Sequence, residues 1–118
     1  MPTEVVYAEE FHRAARKLRK RYPHILDDAE ALADQLEAGN KPGDRLQGLE
    51  EYEVYKARVP NRDAKRGKSG GYRVIYYLET MNQIVLITIY SKTDQSDIAT
   101  EKLRLYIAEH KAQNPSKE

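Results

Sequence analysis

The chain contains no cysteine and no tryptophan, a single phenylalanine, two methionines and three histidines. Without cysteine there is no disulfide framework, no thiol nucleophile and no thiolate metal site. The imidazoles His12, His24 and His110 are scattered, so the histidine pair common in RNA hydrolysis is missing and no metal centre is expected. No apolar run approaches the roughly 20 residues needed to cross a bilayer, and residues 84–89 form the longest one. The first ten residues lack the basic start and long apolar stretch of a signal peptide. Six glycines and five prolines in 118 residues, with 40% hydrophobic and 33% charged composition, describe a globular chain rather than a collagenous or disordered one. One soluble domain over residues 1–111, with a flexible tail over 112–118, is expected, and its place is the cytoplasm.

Charge of one sign is scarce overall but not locally. The net charge is +1. Between Lys56 and Arg73, however, seven cations (Lys56, Arg58, Arg62, Lys65, Arg66, Lys68 and Arg73) face only Asp63, so this stretch carries +6 and the remainder −5. Such segregation makes a local field that attracts a polyanion without making the whole protein adhesive. A solvated basic loop would show the same run, so its meaning depends on where the side chains point.

Residues 3–7 have the β-branched and aromatic character of a short strand. Phe11, Ala14, Ala15, Leu18 and Tyr22 then recur at helical spacing, and Ile25, Ala29, Leu32, Ala33 and Leu36 repeat the pattern after Pro23, up to a stop at Gly39. From Tyr52 to Val59 the period is two. Residues 72–78 are apolar on both alternations apart from Arg73, which predicts a central strand, and a turn at Thr80-Met81-Asn82 leads to a third strand over 83–90. Ser96 or Asp97 is the expected cap of a last helix striped with Ala99, Leu103, Tyr106 and Ile107. The order β-α-α-β-β-β-α predicts an α+β, two-layer domain: an antiparallel sheet with a helical hairpin packed on one face.

If Tyr55, Ala57 and Val59 face the helices, Lys56 and Arg58 project together from the opposite face. Arg73 on the next strand and Lys92 beyond the third converge there, with Tyr52 and Tyr90 offering rings for unpaired bases. Cleavage of RNA through its own 2′-hydroxyl needs a base, phosphate charge stabilisation and a proton for the leaving oxygen, all of which lysine and arginine can supply. Other chemistry is poorly represented. Asp27, Asp28 and Glu30 read as an exposed helix face, and Asp94 with Asp97 is too small a set to hold a cation. Gly67-Lys68-Ser69-Gly70-Gly71 lacks the early glycine of a phosphate loop and precedes a strand.

Lys56-Ala57-Arg58, the string Gly67-Lys68-Ser69-Gly70-Gly71-Tyr72-Arg73-Val74-Ile75-Tyr76, and Ile89-Tyr90-Ser91-Lys92-Thr93-Asp94-Gln95 resemble the RelE/HigB group of the RelE/ParE toxin superfamily, across nearly the whole chain. The resemblance implies the RelE-like fold and the toxin of a type II toxin–antitoxin module. It further implies a ribosome-dependent endoribonuclease that cuts mRNA in the 30S A site without metal or cofactor, and is held inactive by a cognate antitoxin protein. Carried over by position, Arg73, Lys68, Lys65 and Lys92 are the expected catalytic cations, and Lys56, Arg58, Arg62, Arg66 and Tyr90 the expected RNA contacts. One departure stands out: where RelE has a carboxy-terminal tyrosine, this chain has Ile98-Ala99-Thr100, which leaves a lysine as the expected base. Within the same superfamily a ParE-like topoisomerase inhibitor would share the fold without the chemistry, and an inert RNA-binding relative would keep the cations without cutting.

Overall fold

Glu9 and Glu10 in the first turn of α1 (Glu9–Leu18) and Arg16 and Lys17 in its last turn suit the helix dipole, while Phe11 and Ala15 are buried. A tight break at Tyr22-Pro23 returns the chain into α2 (Ile25–Glu37), which buries Ile25, Ala29, Leu32, Ala33 and Leu36. The helix ends at Gly39, whose φ of +99° suits glycine and whose N–H donates to the Leu36 carbonyl. This computed structural model describes residues 3–63, 71–95 and 97–114.

The remaining elements are β1 (Glu4–Tyr7), a two-residue strand β2 (Asp44–Arg45), β3 (Val54–Val59), β4 (Tyr72–Thr80), β5 (Gln83–Ser91) and α3 (Thr100–Gln113). They form one sheet in the order β1-β5-β4-β3-β2. The expected α+β architecture with a helical hairpin on one face is present, and β4 is central. The meander β3-β4-β5 is antiparallel, but β1 lies parallel to β5, so the sheet is mixed. β2 was hidden in the turn-rich stretch after Gly39, and only its pairing with Tyr55 and Lys56 makes it a strand.

Each face of the sheet carries its own apolar core. The hairpin side joins Phe11, Ile25, Leu32 and Leu36 to Ala57, Val59, Tyr72, Val74, Tyr76 and Leu86. On the other side, Leu49 together with Leu103 and Ile107 of α3 covers Val54, Ile75, Tyr77, Val85 and Ile87. α3 starts at Thr100 with Ala99 in the cap position and no side-chain cap, so Asp97 does not begin the helix as its residue type suggested. It also runs on to Gln113, two residues into the stretch expected as tail. Arg104 fastens α3 to Glu51 and the Gly48 carbonyl, and Lys111 fastens it to Glu79.

Gly43 shows why this connection needs glycine. Its φ is +97°, and a Cβ there would fall against the backbone of Lys56 and Ala57. Gly39 has a similar φ with open space around it. Gly39→Ala should therefore cost about 1 kcal/mol from the left-handed backbone alone. Gly43→Ala should cost more than about 2 kcal/mol because overpacking is added; urea midpoints of the two variants measure the difference.

His110 is buried in α3, and burial pushes its imidazole below the usual range, with Glu79 pulling upward and Lys111 downward. The unfolded chain therefore takes up this proton first, near pH 6.5. Stability should be full above that pH and fall as pH drops from about 6.5 towards the folded value. The His110→Gln variant should show a flatter melting temperature between pH 7.5 and pH 5.5 than the parent.

Candidate nucleic-acid interface

Alternation in β3 sends Tyr55, Ala57 and Val59 into the hairpin-side core and Val54 into the opposite core. Lys56 and Arg58 therefore project with Val54 from the face away from the hairpin, as their spacing predicts. In register, Arg58 lies opposite Arg73, and Arg73 lies opposite Tyr90. Directly opposed side chains have Cβ atoms about 5 Å apart. The two arginines are thus cross-strand neighbours on one face of the sheet.

A β-bulge completes this row. Tyr76 pairs with Leu86 but Ile75 pairs with Thr88, leaving Ile87 extra. Ile84 and Leu86 face the hairpin; past the bulge it is Ile89 that does so, and Tyr90 turns to the opposite face with Arg73. Without the extra residue Tyr90 would point at the helices.

Arg58 is exposed and Arg73 half-buried, its guanidinium donating to the Tyr72 carbonyl at 3.3 Å. Neither has a carboxylate partner among the described residues. Lys56 does: its ammonium lies 3.6 Å from Asp97, whose carboxylate also accepts the Ile98 N–H at 2.9 Å. Asp44 is the cross-strand partner of Lys56 on its other side. The turn after β5 is tied to the entry of β4 by the Lys92 N–H donating to the Gly71 carbonyl at 3.1 Å, which brings Lys92 to the Arg73 end of the sheet. Gly71 itself has φ +74°, and a Cβ there would press on the Val59 carbonyl oxygen at 3.0 Å. Lys65, Arg66 and Lys68 lie outside the described residues.

Two expected RNA contacts are placed otherwise. Tyr90 is only 4% exposed, packed with Ile75 and Ile98, so its ring does not form an open stacking platform. Its hydroxyl is buried without a partner in the structure. Burial holds the phenol above its ordinary pKa, Asp97 adding to the shift and Arg73 opposing it, so the group stays a neutral phenol. Tyr52 is likewise half-buried against Tyr77.

Arg62 turns towards the helical hairpin. Its backbone N–H and its Nε both donate to Asp28, at 3.1 and 2.9 Å. Asp28 is therefore buried rather than part of the exposed acidic face that its neighbours suggested. Beside it, Asp63 accepts the His24 N–H at 2.8 Å and meets His24 Nδ1 at 2.9 Å, while its own N–H donates to buried Asn61. These contacts bridge 34 and 39 positions in sequence, which is why no local pattern revealed them. The pair Asp94 and Asp97 is also divided: Asp94 is bonded to Arg21 and Asp97 to Lys56.

The structure is a small α+β domain with Arg58 and Arg73 opposed on the sheet face away from the hairpin. The profile described as "RelE toxin of RelE / RelB toxin-antitoxin system" matches residues 4–114, and the chain belongs to that family. It is a toxin of a toxin–antitoxin system, and membership implies a cognate antitoxin as partner. No curated protein matches the chain. No helix among the described residues is long and apolar enough to cross a membrane.

The Arg62–Asp28 contact makes a specific expectation. Arg62→Ala should lower the urea midpoint because it removes the charged side-chain donor of a buried carboxylate and leaves it only the backbone N–H. Asp28→Asn made in that background should then cost less than Asp28→Asn alone, and a double-mutant cycle reads the coupling. Fully additive effects would mean that the two residues act independently.

Proposed function

We propose that this toxin is a ribosome-dependent endoribonuclease that cuts mRNA in the ribosomal A site through the RNA's own 2′-hydroxyl. The observation that carries the reading is the cross-strand opposition of Arg58 and Arg73. Two like charges held directly opposite each other are unfavourable alone, and an anion between them relieves the repulsion. A scissile phosphodiester is such an anion, and its charge grows as the reaction proceeds.

In this reading the 2′-oxygen attacks the neighbouring phosphorus, the bond to the 5′-oxygen breaks, and the products are a 2′,3′-cyclic phosphate and a free 5′-hydroxyl. Arg73, half-buried and fixed by the strand, stabilises the phosphate charge, and Arg58 and Lys56 hold the strand on the open face. A lysine removes the proton from the 2′-hydroxyl; Lys65, Lys68 and Lys92 are the sequence-based candidates for this step and for protonating the leaving oxygen. Tyr90, as a neutral buried phenol, is no base and flanks the arginine on the neighbouring strand. Dependence on the ribosome follows from the family resemblance, with the ribosome supplying a positioned mRNA.

Inducible expression in bacteria with genome-wide mapping of RNA 5′ ends tests the reading. New ends inside translated frames are expected. The folded Arg73→Ala protein should cut about 10²- to 10³-fold more slowly, the usual loss for one charge-stabilising donor. Growth arrest without new ends would instead indicate inhibition of another target, such as a topoisomerase.

A further inference from the structure

β1 pairs only with residues 83–86 of β5, so the second half of β5 has no strand on that side. α1 runs along this edge, and a groove of about 620 Å³ opens between α1, the turn after β5 and the start of α3. That volume is within the usual range for a ligand cleft. Its floor is apolar, with Leu18, Ile89 and Ile98. Arg13, Lys17 and Arg21 line one wall, and Lys102 and Tyr106 line the other.

The acids in the groove are already matched. Glu10 is bonded to Arg13 at 2.7 Å, Asp94 to Arg21, and Asp97 to Lys56 at 3.6 Å. Lys17 and Lys102, on opposite walls, have no carboxylate partner among the described residues. Counting Arg13, Lys17 and Arg21 of the groove itself, residues 13–21 hold six cations and no acid, all six cations exposed. The surrounding potential therefore favours a polyanion over a peptide of mixed charge. Asp97 borders the groove and pairs with Lys56 of the sheet face at 3.6 Å, so the two surfaces adjoin there.

We propose that this groove is a second binding site for single-stranded RNA. It receives the strand where it leaves the opposed arginines, with Lys17 and Lys102 on its phosphates and Tyr106 against a base. The identity of that strand as substrate rests on the nuclease reading, whereas the groove's affinity for RNA does not.

The test is binding of a short fluorescent oligouridylate over a range of salt concentrations, read by polarisation. Lys17→Glu/Lys102→Glu is compared with Lys20→Glu/Lys41→Glu, which carries the same net charge on exposed lysines outside the groove. The groove variant should bind about tenfold more weakly, and its salt slope should fall by about 1.4 for two lost phosphate contacts on a single strand. The control should keep most of its affinity and its slope. Equal losses in both variants, or none in the groove variant, would overturn the proposal. So would retained RNA binding with loss of neutralisation by the antitoxin, which would make the groove a protein-docking site. An Arg58→Ala/Arg73→Ala variant run in parallel separates the two surfaces. RNA binding lost in the groove variant but kept in the arginine variant would support the groove while the sheet-face reading fails. Lys17→Gln/Lys102→Gln, with a thermal melt, guards against a folding defect, and a proportionate smaller loss there also supports the groove.

Discussion

The antiparallel ladder through β3, β4 and β5 has both apolar cores packed against it and the cationic row on its surface, so its register constrains everything else. A slip of one residue would exchange the faces of a whole strand. It would bury Lys56, Arg58 and Arg73 under the hairpin and expose Ala57, Val59, Tyr72 and Val74. Two covered faces make such a slip prohibitively unfavourable, and the basic face inherits its geometry from that penalty. The bulge at Ile87 breaks the strict alternation, as does a second irregularity between Leu78 and Thr80 near the hairpin turn. The first lets β5 serve the hairpin core at both ends while turning Tyr90 to lie beside Arg73.

The apolar cover on the α3 side does not extend to the Arg58–Arg73 end. α3 lies over Ile75, Tyr77, Val85 and Ile87, and its entry reaches Tyr90 through Ile98, leaving Arg58 exposed and Arg73 half-buried. Cations placed at the margin of a core keep their guanidinium groups solvated while their stems pack on apolar surface. That margin is also where an incoming phosphate loses least hydration and gains most from fixed charges. Acids are distributed to match: Asp28 takes Arg62 towards the hairpin and Asp97 takes Lys56, but none among the described residues pairs with Arg58 or Arg73. The net charge of +1 conceals this arrangement because the acids are elsewhere on the surface.

Periodicity made most of this architecture legible. The helical stripes at Phe11–Leu18 and Ile25–Leu36, the Gly39 stop and the three-strand meander all follow from spacing, and so does the projection of Lys56 and Arg58 from one face. What spacing did not reveal depends on contacts between distant residues. β2 exists because Asp44 and Arg45 find Lys56 and Tyr55, and the parallel placement of β1 is a choice of edge that a four-residue strand does not encode. The burial of Asp28 requires Arg62, 34 positions later. Tyr90 seemed an exposed stacking ring because alternation alone carries no information about the 97–99 segment folding over it. Aromatic residues beside cations are ambiguous in this way: the same pattern serves a binding platform or the rim of a core, and only the cover decides.

The opposed arginines also bear on what the free toxin gives up. Like charges directly opposed across a ladder are unfavourable, and beside Arg73 the buried Tyr90 hydroxyl has no partner among the described residues. An unmet polar group and a repulsive pair in the same row are both tolerated, although an apolar pair and a phenylalanine would fit the same strands with fewer costs. On the nuclease reading proposed above, these are costs kept for a ligand rather than for the fold. The ladder supplies the rigidity that makes this tolerable, because its register holds Arg58 and Arg73 opposite each other on one face. The packing of the core and the placement of the basic row are therefore one property of the β3–β4–β5 register.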